Sequence, residues 1–332
     1  MLNKSLIIAC LFLLSSCLKR IDGPIPIEIS PYPSIEINLK YPDYSDKVYY
    51  NLETKSIVKT SKSMDWSLAF TNSPNLSQKV IMNYAQGTAC NGFTLNDTLW
   101  TRVANEDLYN TNVLRYANHY DSFANLFEAN FANGTNQRYV YYLNFGKYDV
   151  FYKFQILEMT STSVTIRFAQ LDGSNEKTAV IALNPSTNYT YFSLKDNIVK
   201  DIEPADNTSW DIEFTRYTTL VTEFNDTRMY AVGGVINNPQ KKIRVALVDN
   251  TKIESIDSLN VSNYNYSSDL AKIGYGWKKF SSGSVDGFYT ILTRTYLVNS
   301  SNKFYGIQFT GYSKLVNNTE MNGYPTFLLR NF

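Results

Sequence analysis

Residues 209–217 read Ser-Trp-Asp-Ile-Glu-Phe-Thr-Arg-Tyr, and the fold class follows from this stretch. Apolar side chains occupy every second position, at Trp210, Ile212 and Phe214, with polar side chains between them. In an extended chain this spacing places the three apolar residues on one face. Aromatic and β-branched residues favour a half-buried pleated surface, so the stretch predicts a β-strand that buries its tryptophan.

A stretch in the first half of the chain repeats this pattern. Residues 65–71 read Asp-Trp-Ser-Leu-Ala-Phe-Thr, with Trp66 and Phe70 at the same spacing as Trp210 and Phe214. Three further pairs of aromatic segments match in the same order in both halves, and these are residues 49–52 with 191–194, 142–145 with 296–299, and 151–156 with 304–309. The ordered matches predict a duplicated β-module.

The predicted fold is therefore all-β, a sandwich or open barrel made of two tandem related modules. The first module covers residues 41–185 and the second covers residues 186–332, because turn-forming residues 184–188 separate them. We expect the first strand near residues 34–39, at the end of a proline-containing tether that spans residues 18–40.

One segment of the first module departs from the β pattern. Phe123, Leu126, Phe127 and Phe131 recur at spacings of three and four, with Asp-Ser before them and Asn-Gly after them. This spacing and these end signals are typical of a helix. The sequence therefore predicts a short helical insertion near residues 120–132.

The composition excludes one class of function. The chain has 332 residues, 15% of them aromatic and only 18% charged, which favours packed strands over disorder. Its formal net charge is +1, and basic residues form no dense patch along the sequence. Because nucleic-acid binding needs a positive surface, we expect no nucleic-acid partner.

Residues 1–17 resemble a bacterial lipoprotein signal peptide. Lys4 precedes an apolar run at residues 6–14, which is too short to span a bilayer. The run leads into Leu-Ser-Ser-Cys at residues 14–17, which resembles a lipobox. The resemblance implies cleavage before Cys17 and lipid attachment to its sulfur; the alternative is an ordinary signal peptide with a coincidental cysteine.

The residues around this cysteine also predict the location of the protein. Lys19 rather than an aspartate follows Leu18, so the usual signal for retention in the inner membrane is missing and the outer membrane is favoured. The sequence leaves open whether the protein faces the periplasm or the medium. Once Cys10 is removed with the signal and Cys17 is lipidated, Cys90 has no partner for a disulfide and is expected to be a small buried residue.

Six segments of the second half carry a family resemblance. In chain order they are residues 191–194, 210–217, 233–235, 273–280, 305–312 and 323–327. Together they resemble the HmuY-like family of outer-membrane lipoproteins, some of which bind haem, over residues 186–332. The first half is similar to longer members of the family, which have an extra N-terminal β region. The signature residues across both halves are Trp66, Phe70, Trp210, Asp211, Phe214, Arg216, Tyr217, Gly233, Gly234 and Gly323.

The resemblance implies an all-β outer-membrane lipoprotein that captures haem beside a TonB-dependent receptor. The haem-binding member closest to the namesake clamps iron with two histidines, the second of which falls near Ser282. Residues 120–332 contain no histidine, so that ligand pair is absent. Other members use methionine pairs, but residues 230–320 contain no methionine. The ligand site is therefore where this sequence departs most from the family pattern.

Three residues remain as candidates for a single axial ligand to haem iron. They are His119, which is the only histidine, Met229, which precedes the Gly233-Gly234 pair, and Met321, which precedes the last strand. Each has a structural alternative, because a lone histidine is commonly a surface residue and a methionine among aromatic residues commonly fills a core. No metal site can be assigned with these residues alone.

The aromatic residues allow a different kind of binding. Tyr264, Tyr266, Tyr275 and Trp277 could stack on a flat ligand, either a porphyrin or a sugar ring. The alternative is that they form core contacts and cross-strand pairs.

The sequence does not support an enzyme. One histidine cannot supply the usual catalytic triads or metal motifs, and no glycine-rich phosphate loop is present. Asp211 and Glu213 alternate on the predicted solvent face of a strand, where an ion pair is a better interpretation than an acid–base pair. Two hypotheses follow: a haem-binding lipoprotein that delivers its cargo to a receptor, and a non-haem surface lipoprotein that binds a protein or glycan.

Overall fold

The computed structural model describes residues 30–40, 42–72, 80–86, 88–91, 100–101, 115–116, 140–145, 150–221, 228–280 and 287–332. These residues form an all-β structure, which confirms the predicted fold class, with two short 3-10 turns at Ile253–Ser255 and Val261–Asn263. None of the described segments forms a helix long and apolar enough to cross a membrane. The signal peptide, the tether up to residue 29 and the predicted helix near 120–132 lie outside the described residues.

The strands, in chain order, are β1 (Ser34–Glu36), β2 (Asp46–Asn51), β3 (Ser56–Lys62), β4 (Leu68–Thr71), β5 (Val80–Met82), β6 (Thr88–Asn91), β7 (Arg115–Tyr116), β8 (Val140–Phe145), β9 (Val150–Met159), β10 (Ser163–Ala169), β11 (Lys177–Ala182), β12 (Tyr189–Ser193), β13 (Ile198–Lys200), β14 (Ile212–Val221), β15 (Arg228–Asn237), β16 (Arg244–Val248), β17 (Lys278–Phe280), β18 (Phe288–Thr290), β19 (Thr295–Ser300), β20 (Lys303–Val316) and β21 (Thr319–Asn331). They form sheets with the strand orders β1-β21-β20-β19-β16, β11-β10-β9-β8-β6-β7, β13-β12-β4-β5 and β15-β14-β2-β3, and the pair β17-β18.

These sheets pack as two β-sandwiches within one compact unit that covers residues 32–332. Sandwich I consists of the described residues between 66 and 202, in which the sheet containing β4 and β12 packs on the sheet containing β8–β11. Its core also includes Tyr217, Ile236 and Ala271 from later in the chain. Sandwich II combines residues 34–62 with residues 210–331, in which the sheet containing β2 and β14 packs on the sheet containing β19–β21. Each sandwich buries its own apolar core, and this burial is the main favourable term in its folding.

The two halves of the chain exchange strands between the sandwiches. In sandwich I, β4 of the first half pairs with β12 of the second half, and in sandwich II β14 pairs with β2. The registers correspond, because Leu68 faces Phe192 in one pair and Ile212 faces Tyr50 in the other. A duplicated pattern is therefore present, but each four-stranded sheet combines strands from both halves. One sheet joins the hairpin β12–β13 to β4, the strand after Trp66, and the other joins the hairpin β2–β3 to β14, the strand after Trp210.

Equivalent hydrogen bonds occur at matching positions of the two sandwiches. Ser67 N donates to Phe192 O at 2.8 Å, and Asp211 N donates to Tyr50 O at 2.9 Å. The side-chain amide of Asn83 donates to Trp66 O at 2.7 Å, and that of Asn238 donates to Trp210 O at 2.9 Å. This equivalence assigns matching positions in the two sandwiches without any reference to other proteins.

The predicted boundary between residues 185 and 186 does not separate two packed units. It falls in the connection between β11 and β12, so sandwich I contains β12 and β13 from the second half, and sandwich II contains β1, β2 and β3 from the first. The chain passes between the sandwiches near residues 63–65 and 203–209 instead. The predicted first strand is confirmed by β1, and Ile37 and Leu39 after it are fully buried, so the last part of the predicted tether belongs to the fold.

One local prediction is wrong. Asp211 and Glu213 do not face solvent, since only 2% and 3% of their surfaces are exposed.

The Gly233-Gly234 pair lies inside the regular strand β15, which pairs with β14 without a register shift. A Cβ at Gly234 would lie 2.6 Å from the backbone oxygen of Gly274, so glycine is needed for close approach of two segments of the chain.

Candidate functional site

An aromatic cleft opens at the edge of sandwich II. The hairpin β17–β18 lies beside the edge strand β15, and the cleft between them encloses about 90 Å³. Its walls are mostly aromatic and aliphatic, and the lining residues are Tyr44, Val221, Tyr230, Ala231, Val232, Gly233, Tyr275, Lys278, Phe280, Phe288 and Tyr312. We call this site the aromatic cleft.

The rings of the aromatic cleft form a connected series. Phe280 contacts Phe288 edge to face at 5.6 Å, and Phe288 contacts Tyr312 at 5.7 Å. Tyr312 in turn lies parallel to Tyr44 at 6.4 Å. Edge-to-face contacts hold each ring in a defined orientation. The wall is therefore preorganised rather than a loose cluster of side chains.

Two of these aromatic side chains extend to the surface. Tyr230 is 45% exposed and Phe280 is 42% exposed. Gly287, just before β18, has a positive φ of 70°, and a Cβ there would lie 2.8 Å from the Phe280 ring. Glycine at this position therefore leaves room for the Phe280 ring. Exposed aromatic residues that border an apolar cleft commonly mark a ligand-binding groove.

A single positive charge lies at the base of the aromatic cleft. Lys278 is only 3% exposed, and its Nζ donates to Gly233 O. The same Nζ lies 4.3 Å from the Trp277 ring centre and 4.6 Å from the Tyr312 ring centre. The ring faces and the carbonyl compensate the buried charge. Burial raises the pKa of Tyr312 well above its ordinary value, so this hydroxyl keeps its proton at neutral pH.

The predicted stacking residues do not lie together. Tyr275 lines the aromatic cleft, whereas Trp277 is fully buried in the core of sandwich II and stacks on Phe309 at 4.1 Å. Tyr264 and Tyr266 pack in a separate cluster, where the Tyr266 hydroxyl donates to a backbone oxygen. The alternative prediction, that these residues form core contacts, therefore holds for Trp277.

Of the three predicted iron ligands, Met321 is the one whose side chain lies in the described part of the chain. His119 lies outside the described residues, as does the side chain of Met229, although residue 229 itself belongs to β15. The predicted lipid-attachment residue, Cys17, also lies outside them. Met321 lies on β21 opposite Lys314 and does not line the cleft. Across the segments that the structure describes, histidine, cysteine and acidic side chains form no group of three or more that could hold a metal ion.

Most of the family-signature residues have structural roles. Trp66, Phe70, Trp210, Phe214 and Tyr217 are at most 2% exposed and belong to buried packing. Arg216 is half-buried, Gly234 makes the close approach to Gly274 and Gly323 has a positive φ of 90°. Asp211 binds the Nζ of Lys241 at 2.7 Å, and only Gly233 lines the aromatic cleft.

Sequence reasoning missed most of the aromatic cleft. Tyr44, Tyr230, Phe280, Phe288 and Tyr312 were not candidates, although Phe280 and Tyr312 end two of the segments that carry the resemblance. Nothing in the sequence relates Tyr44 to Tyr312 across more than 200 residues, because only the pairing of β1 with β21 and of β2 with β14 brings these segments together.

A buried polar layer connects the four-stranded sheet of sandwich II, which contains Lys47 and Glu213, with Tyr84, which follows β5 of sandwich I. Lys47 is completely buried, and its Nζ lies 3.1 Å from Glu213 Oε2 and donates to the Tyr84 hydroxyl. The Tyr84 hydroxyl donates to Glu213 Oε1 at 3.0 Å, so the three groups form a closed set of hydrogen bonds. Burial, followed by the charge of Glu213, raises the pKa of Tyr84 well above its ordinary value, which keeps this donor protonated.

Glu203 at the edge of this layer predicts a pH effect on stability. Burial raises the pKa of its carboxyl to about 8, although Asn188 N and Tyr189 N donate to it at 3.0 and 3.1 Å. Because the folded state holds this proton more tightly, the contribution to stability is complete below the ordinary pKa and is lost as the pH rises through about 8. We expect the loss to be roughly 4 kcal/mol between about pH 5 and pH 9.

Glu203→Gln tests this effect. The amide oxygen can accept from both N–H groups without a titrating proton, so urea unfolding of the variant should vary less with pH over this window. An equal loss of stability in both proteins would show that another group titrates.

Comparisons of the chain with protein-family models, with curated proteins and with solved structures find no match. The function is therefore inferred from the residues of the aromatic cleft and from the resemblance of residues 186–332.

Proposed function

We propose that this chain is an outer-membrane lipoprotein that captures a flat tetrapyrrole such as haem in the aromatic cleft and delivers it to a TonB-dependent receptor. The observation that carries the proposal is the position of the cleft. Tyr275, Lys278, Phe280 and Gly233 line it, and all four belong to segments that resemble the HmuY-like family.

The shape of the aromatic cleft favours edgewise binding. Its enclosed volume of about 90 Å³ is below the usual volume of a complete small-molecule pocket. One edge of a macrocycle would enter the cleft and its face would lie on the exposed rings of Tyr230 and Phe280.

Among the described residues of the lining, the oxygen atoms that can ligate iron are the hydroxyls of Tyr44, Tyr230, Tyr275 and Tyr312. A tyrosine can ligate haem iron as a phenolate, but the raised pKa of Tyr312 opposes this state there. We therefore propose that ring stacking and apolar contact supply most of the affinity.

Haem titration of protein produced without residues 1–17 tests the proposal. We expect a saturable Soret shift at one equivalent, and Phe280→Ala and Tyr230→Ala should each weaken binding about tenfold, since a lost aromatic contact of about 1.4 kcal/mol corresponds to that factor. Metal-free protoporphyrin should bind with similar affinity, because the proposed contacts do not require iron.

Tyr289→Ala is the matched control. Tyr289 is 49% exposed on the same hairpin, but it does not line the cleft, so binding should not change. Absence of a Soret shift in both redox states, together with no protoporphyrin binding, would reject the tetrapyrrole and leave the non-haem surface lipoprotein. A shift that survives the Phe280 and Tyr230 substitutions would move the site elsewhere.

A further inference from the structure

Sandwich I contains a second cleft, which differs in chemistry from the first. It encloses about 540 Å³, which lies within the usual range for a small-molecule pocket. Its lining is mixed polar and aromatic, and the residues are Met64, Asp65, Trp66, Ser67, Gln86, Phe145, Tyr152, Ser193, Lys195 and Asp196. We call it the polar cleft, and we propose that it is a binding site for a neutral saccharide.

The repeated hydrogen bonds identify the equivalent place in sandwich II. Ser67 occupies the position of Asp211, because Ser67 Oγ accepts from Leu194 N at 3.1 Å and Asp211 Oδ2 accepts from Leu52 N at 2.8 Å. Gln86 follows Asn83 by three residues as Lys241 follows Asn238. Phe145 corresponds to Ser300, because it follows Asn144, which pairs with Phe151, as Ser300 follows Asn299, which pairs with Phe304. This register differs by one residue from the match of residues 142–145 with 296–299 predicted from the sequence.

In sandwich II these equivalent positions are joined to one another. Asp211 Oδ1 accepts from Lys241 Nζ at 2.7 Å and from Ser300 Oγ at 2.7 Å. The Asp211 side chain is 3% exposed, so the three residues form a closed ion cluster. In sandwich I the same three positions, Ser67, Gln86 and Phe145, all line the polar cleft. The polar cleft therefore lies at the place where sandwich II has its closed ion cluster.

The charges of the polar cleft favour an uncharged ligand. Asp65 and Asp196 are opposed by Lys195 in the lining, and Asp196 also pairs with Lys200 at 2.6 Å. The formal charges of these four side chains cancel. A nearly balanced site gives little attraction to a polyanion or a polycation.

The hydrogen-bonding groups favour hydroxyls as ligand groups. The carboxylate oxygens of Asp65 and the amide oxygen of Gln86 offer acceptors to ligand hydroxyls, which suits a ligand that carries many hydroxyl groups. The donors of Gln86 and Ser193 are used inside the protein, since Gln86 Nε2 donates to Met64 O at 2.6 Å and Ser193 Oγ donates to Asp196 Oδ2 at 3.1 Å. Tyr152 and Phe145 form an edge-to-face pair at 6.0 Å beside them. Burial raises the pKa of Tyr152, so its hydroxyl stays a donor. An aromatic wall beside polar groups matches the apolar faces and hydroxyl rim of a sugar ring.

Titration with neutral oligosaccharides tests the proposal. Protein without residues 1–17 is titrated with maltotriose, cellotriose, mannotriose and chitotriose, with a sulfated heparin disaccharide and trilysine as charged comparisons, and binding is followed by NMR shifts and calorimetry. We expect at least one neutral trisaccharide to bind saturably and the charged probes not to bind. Failure of every neutral probe, or preference for a charged one, would overturn the saccharide assignment.

Three variants locate the binding. Asp65→Asn should weaken it about tenfold, whereas Glu158→Gln, an exposed carboxylate elsewhere on β9, should leave it unchanged. The double replacement Ser67→Asp with Gln86→Lys introduces the charged pair of sandwich II. It should weaken binding at least about tenfold, because it removes the Gln86 amide and places two charges beside a neutral ligand. Binding that persists in both Asp65→Asn and the double variant would place the sugar elsewhere and overturn the site.

Phe280→Ala in the aromatic cleft separates this proposal from the haem proposal. It should reduce tetrapyrrole binding and leave saccharide binding unchanged, because the two clefts lie in different sandwiches. Loss of both activities in one folded variant would mean that the two ligands share a site, which contradicts the second proposal.

Discussion

Lys47→Met is expected to lower the free energy of unfolding by about 3–5 kcal/mol, which is typical when one partner of a buried ion pair is removed. The substitution retains most of the side-chain volume but leaves the Glu213 carboxylate, which is 3% exposed, without its cation. Tyr84 alone would then donate to that carboxylate. Urea unfolding followed by tryptophan fluorescence measures the change, provided that the transition stays two-state.

The double variant Lys47→Met with Glu213→Gln is the control for this interpretation. With both charges removed, the buried layer loses its uncompensated group, and much of the stability should return. Lys303→Met, which breaks the exposed pair with Glu53, should cost less than about 1 kcal/mol. A cost for Lys47→Met as small as that of Lys303→Met would show that the polar layer contributes no more than a surface ion pair.

Trp277→Ala is expected to destabilise the protein by about 3–5 kcal/mol, the usual range for truncating a buried large aromatic residue. The indole is fully buried, stacks on Phe309 with an angle of 13° between the rings, and donates from Nε1 to Gly274 O at 3.1 Å. Truncation would leave a cavity in the core of sandwich II and remove one ring that faces the Lys278 charge. Thermal and urea unfolding measure the loss.

Tyr264→Ala provides the comparison for Trp277→Ala. Tyr264 is half-buried outside the main core, so its truncation should cost clearly less. If Trp277→Ala instead left stability unchanged and abolished tetrapyrrole binding, Trp277 would be a stacking residue as first predicted from the sequence. Partial recovery of stability in Trp277→Phe would support the core role, because phenylalanine restores part of the lost volume.

Much of the secondary structure was predictable from local patterns. The alternations around Trp66 and Trp210 predicted strands that bury both indoles. The burial is confirmed, and β4 and β14 confirm the strands from Leu68 and Ile212 onward, but each tryptophan lies two residues before its strand. This worked because period-two alternation is imposed by the pleat itself and needs no distant information. The same pattern was misleading for Asp211 and Glu213, since polar residues of a strand face solvent only when one side of the sheet is uncovered.

The candidate sites were much less predictable. Tyr275 was the one predicted stacking residue that lines a cleft, whereas the polar cleft combines Asp65, Tyr152 and Asp196 from separate parts of the chain. Such sites depend on strand pairing over long separations in sequence. A glycine in a sequence is compatible with a turn, a bulge or a close approach of two backbone segments. Only the distance to Gly274 shows that close approach is the reason for Gly234.

The sequence by itself determined the strand-forming segments, the faces that they bury and the duplication of their pattern. Those properties are local, because side-chain alternation and turn residues act over a few positions. Only the tertiary structure decided which strands pair, and the choice was reciprocal, with β2 joining β14 and β12 joining β4. The hairpins β2–β3 and β12–β13 have similar sequence patterns, so by local pattern alone either hairpin could pair with β4 or with β14. The final pairing therefore depends on cross-strand packing and on the buried layer of Lys47, Tyr84 and Glu213, which forms only when both sheets are in place.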